Sequence, residues 1–414
     1  MKRKNVFLSV VLVSAMFALV MSGCKKEPTV FTLSSLVTGT IDLNGATTAN
    51  TVPVKPVIVA TFNTDVDATT AIPANVTLVQ DYDNAAIAVT VTASGSSITI
   101  TPTADLGSGT LYKLTLTAGL KSANALVLTA VTRNFTTTGT FVPTGVIAHW
   151  NFEGNANDVV GTFDPATTGI VNVSYGASRN AAAGTAATFD GTTSIIEVPN
   201  GDLLMNTADF TLSFWVKAAT QDKGHFVMGL GAFYGFQFEI ASDFSNCKLA
   251  ASYDLGNSTT GSEDLWFPGN GQTKDNGGWQ GWTFCKDLTG SGGVAAILQD
   301  KWAHVVCTYN SATKVGTMYM NGEKMKAQDF NLWPDGDAKR GVVGLRYGGK
   351  LPDVKNELAF GFIQSRAGTM WATEAWGGYA IPGANHFKGQ LDDIRIFHKA
   401  LTDTEIRLMY NSEK

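Results

Sequence analysis

The sequence predicts an all-β protein of two β-sandwich modules behind an export signal. Three observations carry this. Short runs of alternating apolar and polar residues, rich in β-branched types, recur between turn residues in both halves of the 414-residue chain. Composition changes sharply near residue 140: a Thr-, Val- and Ala-rich stretch without Trp or Cys gives way to one that holds all nine tryptophans. Only the first residues carry an apolar run of signal-peptide length, and no other run is long enough to span a membrane.

The chain starts with a basic cluster, Lys2, Arg3 and Lys4, followed by an apolar run from Val6 to Met21 and then Ser22-Gly23-Cys24. The Met21-Ser22-Gly23-Cys24 string resembles a bacterial lipobox. That resemblance implies a signal peptide over residues 1–23, a lipid on Cys24 as the mature N-terminus, and a tether over 24–29. An ordinary signal peptide or a short anchor helix is the alternative. Each buried CH₂ of an acyl chain contributes about 0.8 kcal/mol, so several chains on Cys24 hold a protein to a membrane durably. No Asp follows Cys24, so the same resemblance implies an outer-membrane lipoprotein, on the cell surface or the periplasmic face. Removing residues 1–23 takes away three basic and no acidic residues, so net charge moves from −5 to −8. An acidic chain without a basic stripe is a poor nucleic-acid binder.

Residues 30–139 form the first module. Its strand-like runs are 57–62, 76–79, 88–92, 97–100, 111–116 and 133–137, the pattern of an antiparallel sandwich. Pro56 with Phe62, Thr99-Ile100-Thr101-Pro102, Leu106 with Gly109-Thr110-Leu111-Tyr112, Gly119-Leu120 and Phe135-Thr136-Thr137 resemble bacterial Ig-like domains. The resemblance implies a spacer. The module has no His and its acids are scattered on turns, so nothing in it suggests chemistry.

Residues 140–146 are a short linker, and 147–414 form the second module. Its pattern opens on Ile147-Ala148-His149-Trp150-Asn151-Phe152 and continues with Phe189-Asp190-Gly191, Ile195-Ile196-Glu197-Val198 and Phe210 to Lys217. Trp302 to Tyr309 follows, then a hairpin turning on Asn321-Gly322, a pair that accepts the positive φ of a type I′ turn. Phe387 to Phe397 is the last strand, and Thr402 with Glu405 caps a terminal helix. These strings resemble the laminin-G-like members of the concanavalin A-like lectin/glucanase superfamily, which implies a jelly-roll sandwich. The likeness rests on the ends and middle of the module. It lapses over roughly residues 219–300 and 327–386, which are expected to be long loop insertions.

Six tryptophans fall in those two stretches: Trp266, Trp279, Trp282, Trp333, Trp371 and Trp376. Either they form small cores under long loops or some of them face a ligand. A flat indole desolvates the C–H face of a sugar, whose hydroxyls then need directional partners. Arg346, Tyr347, Glu374 and Tyr379 join the six as candidate glycan contacts, with Gln364 and Arg366 nearby. Trp150, Trp215 and Trp302 sit in alternating runs and are assigned to the core.

Asp158, Asp190 and Asp392 are candidate ligands of a structural calcium, because hard oxygen donors without His or Cys suit that ion. The alternative is that they cap turns. No protease, hydrolase or nucleotide motif occurs, and no alternating Glu-x-Asp-x-x-Glu strand. Asp392 and Asp393, as neighbours on a strand, are expected to point to opposite faces. Glu239, Asp264, Asp335 and Glu374 are far apart in sequence and free to meet in space. Cys247 and Cys285 flank the first insertion, so a disulfide between them and free thiols are both open. The function expected is non-catalytic glycan binding by a membrane-anchored lipoprotein. An adhesin with a protein partner is the first rival, and a glycoside hydrolase or lyase the second.

Overall fold

The computed structural model describes residues 30–268, 281–374 and 384–414. Cys24, Trp279, Trp376 and Tyr379 lie outside the described residues. The chain divides into two compact units between Thr138 and Gly139. Among the described residues no helix is long and apolar enough to cross a membrane.

The first unit is a sandwich of two five-stranded sheets. One orders Ile41–Asp42, Leu33–Thr38, Ile58–Phe62, Ser97–Pro102 and Val89–Ser94; the other orders Ala49–Val52, Val131–Thr137, Leu111–Leu116, Val76–Gln80 and Ala86–Ile87. Period-2 alternation turns Ile58, Ala60, Ile98, Ile100, Leu114 and Leu116 inward to one core. Tyr112 is fully buried among them, and its hydroxyl accepts from Gly107 N at 2.7 Å and donates to Gln80 at 3.2 Å. A buried phenol needs such partners.

The second unit is a larger sandwich. Its principal strands are β1 (Val146–Trp150), β2 (Thr185–Asp190), β3 (Ile195–Val198), β4 (Phe210–Ala218), β5 (His225–Leu230), β6 (Phe236–Ile240), β7 (Cys247–Asp254), β8 (Thr260–Phe267), β9 (Trp282–Cys285), β10 (Trp302–Asn310), β11 (Val315–Met320), β12 (Glu323–Asp329), β13 (Leu358–Phe360) and β14 (Lys388–Phe397). The first sheet runs β2-β14-β4-β10-β11-β12-β9, and β1 pairs with the second half of β14. The second sheet runs β3-β13-β5-β6-β7-β8. Phe210, Leu212, Phe214 and Val216 of β4 face Phe236, Phe238 and Ile240 of β6 across the core. The ring centroids of Phe214 and Phe238 are 5.0 Å apart, edge to face. Asn321 and Gly322 adopt φ of 51° and 77°, as the hairpin turn requires.

The terminal helix α1 (Asp403–Glu413) starts at the expected capping box, with Thr402 and Glu405 each bonding the other's backbone. It packs on the outer side of the first sheet, over Trp215 and His304.

Two expectations change here. Residues 225–267, expected to lie in an insertion, are four paired strands that build most of the second sheet. Trp266 is therefore a strand residue. Asp392 and Asp393 do not point apart: Asp393 takes φ of 46° where the β4 pairing shifts register, and both carboxylates reach Arg179 at 2.6 Å. A bulge puts neighbouring residues on one side.

Candidate functional site: the outer face of the second sheet

On β6, Phe236, Phe238 and Ile240 are core residues, so alternation turns Gln237 and Glu239 outward. On β7, Leu249, Ala251 and Tyr253 point in, leaving Lys248, Ala250 and Ser252 outside. The strand register then makes two rows across the sheet. Glu239 lies opposite Lys248, which lies opposite Trp266; Gln237 lies opposite Ala250, which lies opposite Asp264. Ser252 and Ser262 make a third, shorter row. Ala250 is a small, buried floor between longer polar side chains.

The polar groups engage one another. Lys248 Nζ lies 3.1 Å from Asp264 and 3.8 Å from Glu239. The Gln237 amide donates to Glu239. Burial pushes the Glu239 carboxyl above its ordinary range, and the Lys248 ammonium opposes that. Asp264 is the open member, its side chain 45% exposed. Among the described residues Gln237 Oε1 and Trp266 Nε1, both buried, have no hydrogen-bond partner. At the β5–β6 turn Ser262 donates to the Phe233 carbonyl at 3.2 Å, and the Phe233 side chain is exposed.

The stripe continues to Arg346. Residues 344–345 pair with the end of β7, and Arg346 N donates to Ser252 at 3.1 Å. The Arg346 guanidinium is 3.7 Å from Asp254, and a cleft of about 470 Å³ opens there between Asn206, Thr207, Asp254, Gly344 and Arg346. Tyr347 instead folds back on Gly231, with its hydroxyl buried.

The other half of this face is closed. Ile195, Phe226 and Ala359 are covered by Phe362, Ile363 and Ala384, with Trp371 packed on Phe362 at 5.4 Å. The covering chain crosses so near β5 that a Cβ on Gly229 would sit 2.6 Å from the Ile363 carbonyl oxygen, so only glycine fits. Arg366 is spent on a two-pronged pair with Glu197 at 3.0 and 2.6 Å. Gln364 is buried, and among the described residues neither of its amide atoms has a partner.

The structure thus brings Trp266 and Arg346 onto one face, together with Glu239 and Asp264. It places Trp282 and Trp333 in the interior, 4% and 7% exposed, each with a lysine over its ring. Glu374 follows a one-turn helix, Met370–Thr373, and is half-buried. Asp335 is exposed and pairs with Arg340. Gln237, Lys248, Ala250, Phe233 and Ser262 were missed at the level of sequence. The signal for the first three was the apolar alternation in Phe236-Gln237-Phe238-Glu239-Ile240 and in Leu249 to Tyr253.

The calcium candidates have other engagements. Asp158 accepts from the amides of His149, Val160 and Phe163. Partial burial opposes ionisation of Asp190, but the amides of Thr193, Ser194 and Thr192 hold its carboxyl well below the usual range. Asp392 binds Arg179 and Ser178. Among the described residues no group of three or more His, Cys, Asp or Glu side chains could hold a metal.

Asp392 carries a pH consequence. Burial, then the adjacent Asp393, pushes its carboxyl up to about 7. Burial works against Asp393 too, but Arg395, His149 and Arg179 hold it low. Because the folded state binds the Asp392 proton more tightly than the unfolded chain, this contribution to stability is full only below the ordinary carboxyl value of 3.8. It is lost as pH rises through about 7. Asp392→Asn is expected to flatten the fall in stability across neutral pH, read as melting temperature against pH.

Residues 37–137 match the bacterial Ig-like domain family, and residues 190–353 match the family described as the concanavalin A-like lectin/glucanases superfamily. The second match runs through the strands of 225–267. No curated protein matches the chain. Among solved structures, domain 4 of a GH43 extracellular arabinanase from Geobacillus stearothermophilus, in complex with arabinotriose, is 18% identical with a TM-score of 0.37. That match covers 64% of this chain and 98% of that one. The botulinum neurotoxin serotype D ligand binding domain, in complex with N-acetylneuraminic acid, is 17% identical with a TM-score of 0.39, covering 65% and 51%. The binding domain of Paraclostridial Mosquitocidal Protein 1 is 15% identical with a TM-score of 0.40, covering 65% and 52%. This chain spans about half the length of those two toxin domains. By its family matches and its two sandwiches, the chain carries a bacterial Ig-like domain followed by a domain of the concanavalin A-like lectin/glucanase superfamily.

Proposed function

We propose that the second module binds a glycan, without catalysis, along the outer face of β6, β7 and β8. The observation that carries this is the polar trough over Ala250, walled by Gln237, Glu239, Lys248 and Asp264. A sugar hydroxyl both donates and accepts, and this wall offers carboxylates, an amide and an ammonium side by side. Trp266 at one end and Phe233 towards the other supply apolar faces for the sugar C–H surface. From Trp266 to Thr260 the strand rise gives a stripe of about 20 Å, long enough for several sugar units. The superfamily's own description names lectins and glucanases. Against catalysis, both acids of the trough are engaged by Lys248, so neither is a free acid or base. In the same proposal a lipid on Cys24 anchors the chain to the outer membrane, and the Ig-like domain is a spacer.

The test is a glycan and polysaccharide array with the chain starting after Cys24, in calcium and in chelator. Binding is expected, and equal in both conditions, because the three candidate calcium acids are engaged by backbone amides or Arg179. Gln237→Ala and Asp264→Ala are each expected to weaken that binding about tenfold, the loss of one hydrogen bond to a charged or desolvated group. Their melting temperatures should stay near that of the wild type. Silence of the folded protein across the array would favour a protein partner.

A further inference from the structure

Lys326 on β12 is an unusual lysine. Its side chain is fully buried, and among the described residues no carboxylate pairs with it. Its ammonium nitrogen sits 3.4 Å above the Trp282 ring centroid and donates to the Pro268 carbonyl at 3.1 Å. Cys285 on β9 lies directly opposite Lys326 in the strand register. Directly opposed residues of an antiparallel pair put their side chains on one face with Cβ atoms about 5 Å apart. The Cys285 thiol donates to the same Pro268 carbonyl, at 3.3 Å. Nitrogen and sulfur therefore converge on one oxygen, and Cys285 is only half-buried, within reach of a small oxidant.

We propose that Lys326 and Cys285 form an oxidant-driven covalent cross-link between β12 and β9. In the first step a hydroperoxide oxidises the Cys285 thiol to a sulfenic acid and is itself reduced to the alcohol or water. In the second, the Lys326 amine attacks the sulfenic sulfur. The N–S bond forms, the S–O bond breaks, and the hydroxyl leaves as water with one amine proton. The product is a sulfenamide, two hydrogens lighter than the thiol and amine together. The attacking nitrogen must be neutral, and burial pushes the Lys326 ammonium down to about 8. Burial also pushes the Cys285 thiol up, which slows the first step and makes the link a response to sustained rather than brief oxidation. The link would fasten β9, the four-residue strand at the end of the first sheet, to β12.

The test treats the full chain after Cys24 with hydrogen peroxide at about pH 8, blocks free thiols by alkylation, and maps the digested protein by mass spectrometry. The expected result is a joined pair of peptides holding Cys285 and Lys326, two hydrogens light and separated again by dithiothreitol. Lys326→Met keeps an apolar side chain under Trp282 and should leave Cys285 as an alkylation-resistant sulfinic acid with no joined peptide. Cys285→Ser is a second control that keeps the small side chain and should abolish the link. Recovery of wild-type Cys285 only as sulfinic or sulfonic acid, or as a disulfide with Cys247, overturns the proposal.

Discussion

Replacing Arg395 with methionine is expected to destabilise the second module by about 3–5 kcal/mol, the usual cost of removing one partner from a buried ion pair. Arg395 is buried on β14 and donates to Glu413 of α1 at 2.6 Å and to Asp393 at 3.0 Å. Glu413 is itself buried, and its other oxygen accepts from the Trp215 indole at 2.7 Å. Arg179 binds Asp392 and Asp393 and reaches the Glu413 backbone carbonyl at 2.9 Å. Two guanidiniums thus serve three carboxylates under the terminal helix. Methionine retains much of the arginine's apolar bulk but leaves Glu413 and Asp393 short of positive charge in a low-dielectric site. The helix should loosen first, since this network is what holds its last turn to the sheet. Urea unfolding followed by tryptophan fluorescence measures the loss. Adding Glu413→Gln should restore a good part of it, because the uncompensated charge is then gone. A loss under about 1 kcal/mol in the single variant would mean the network contributes little.

Trp333→Ala is the second large effect, an expected loss of about 3–5 kcal/mol. Trp333 sits in the main core and closes it beneath Lys339, whose nitrogen lies 4.3 Å from the ring centroid. Truncation takes the indole out of that core and leaves a cavity in its place. At temperatures where the variant is folded, glycan affinity should match the wild type, since Trp333 is not on the outer face of the second sheet. A stable Trp333→Ala protein with abolished binding would instead make this tryptophan a ligand contact.

The two variants also show what the sequence disclosed and what it withheld. The terminal helix was legible because a capping box is local: Thr402 and Glu405 satisfy amides within one turn. The β10–β11–β12 hairpins were legible from period 2 and from Asn321-Gly322. Most of the second sheet was not. In β5, His225 to Leu230 are all buried, so its apolar run shows no alternation to set it apart from a core loop. Within that run Gly229 is where another segment crosses the sheet closely. Trp266 and Trp333 look alike in sequence, each in a short aromatic phrase beside proline. Pairing across strands separates them: register puts Trp266 on the outer face of β8, whereas Trp333 follows the 3-10 turn Phe330–Leu332 that folds it into the core. Asp392 and Asp393 failed for the same reason, since a bulge cancels the alternation on which the expectation stood. The trough was half visible. Glu239 and Asp264 were noted as free to meet, but the lysine between them was not, because pairing across three strands leaves no spacing signature in the chain.

The most direct test of the central claim is a calorimetric titration of the wild type and the Gln237→Ala/Asp264→Ala double variant with a glycan that the array identifies. Saturable binding by the wild type, weakened by at least about tenfold in a double variant that melts at the same temperature, is the predicted result. Equal affinity in the two proteins would place the ligand elsewhere and contradict the assignment of the outer face of β6, β7 and β8.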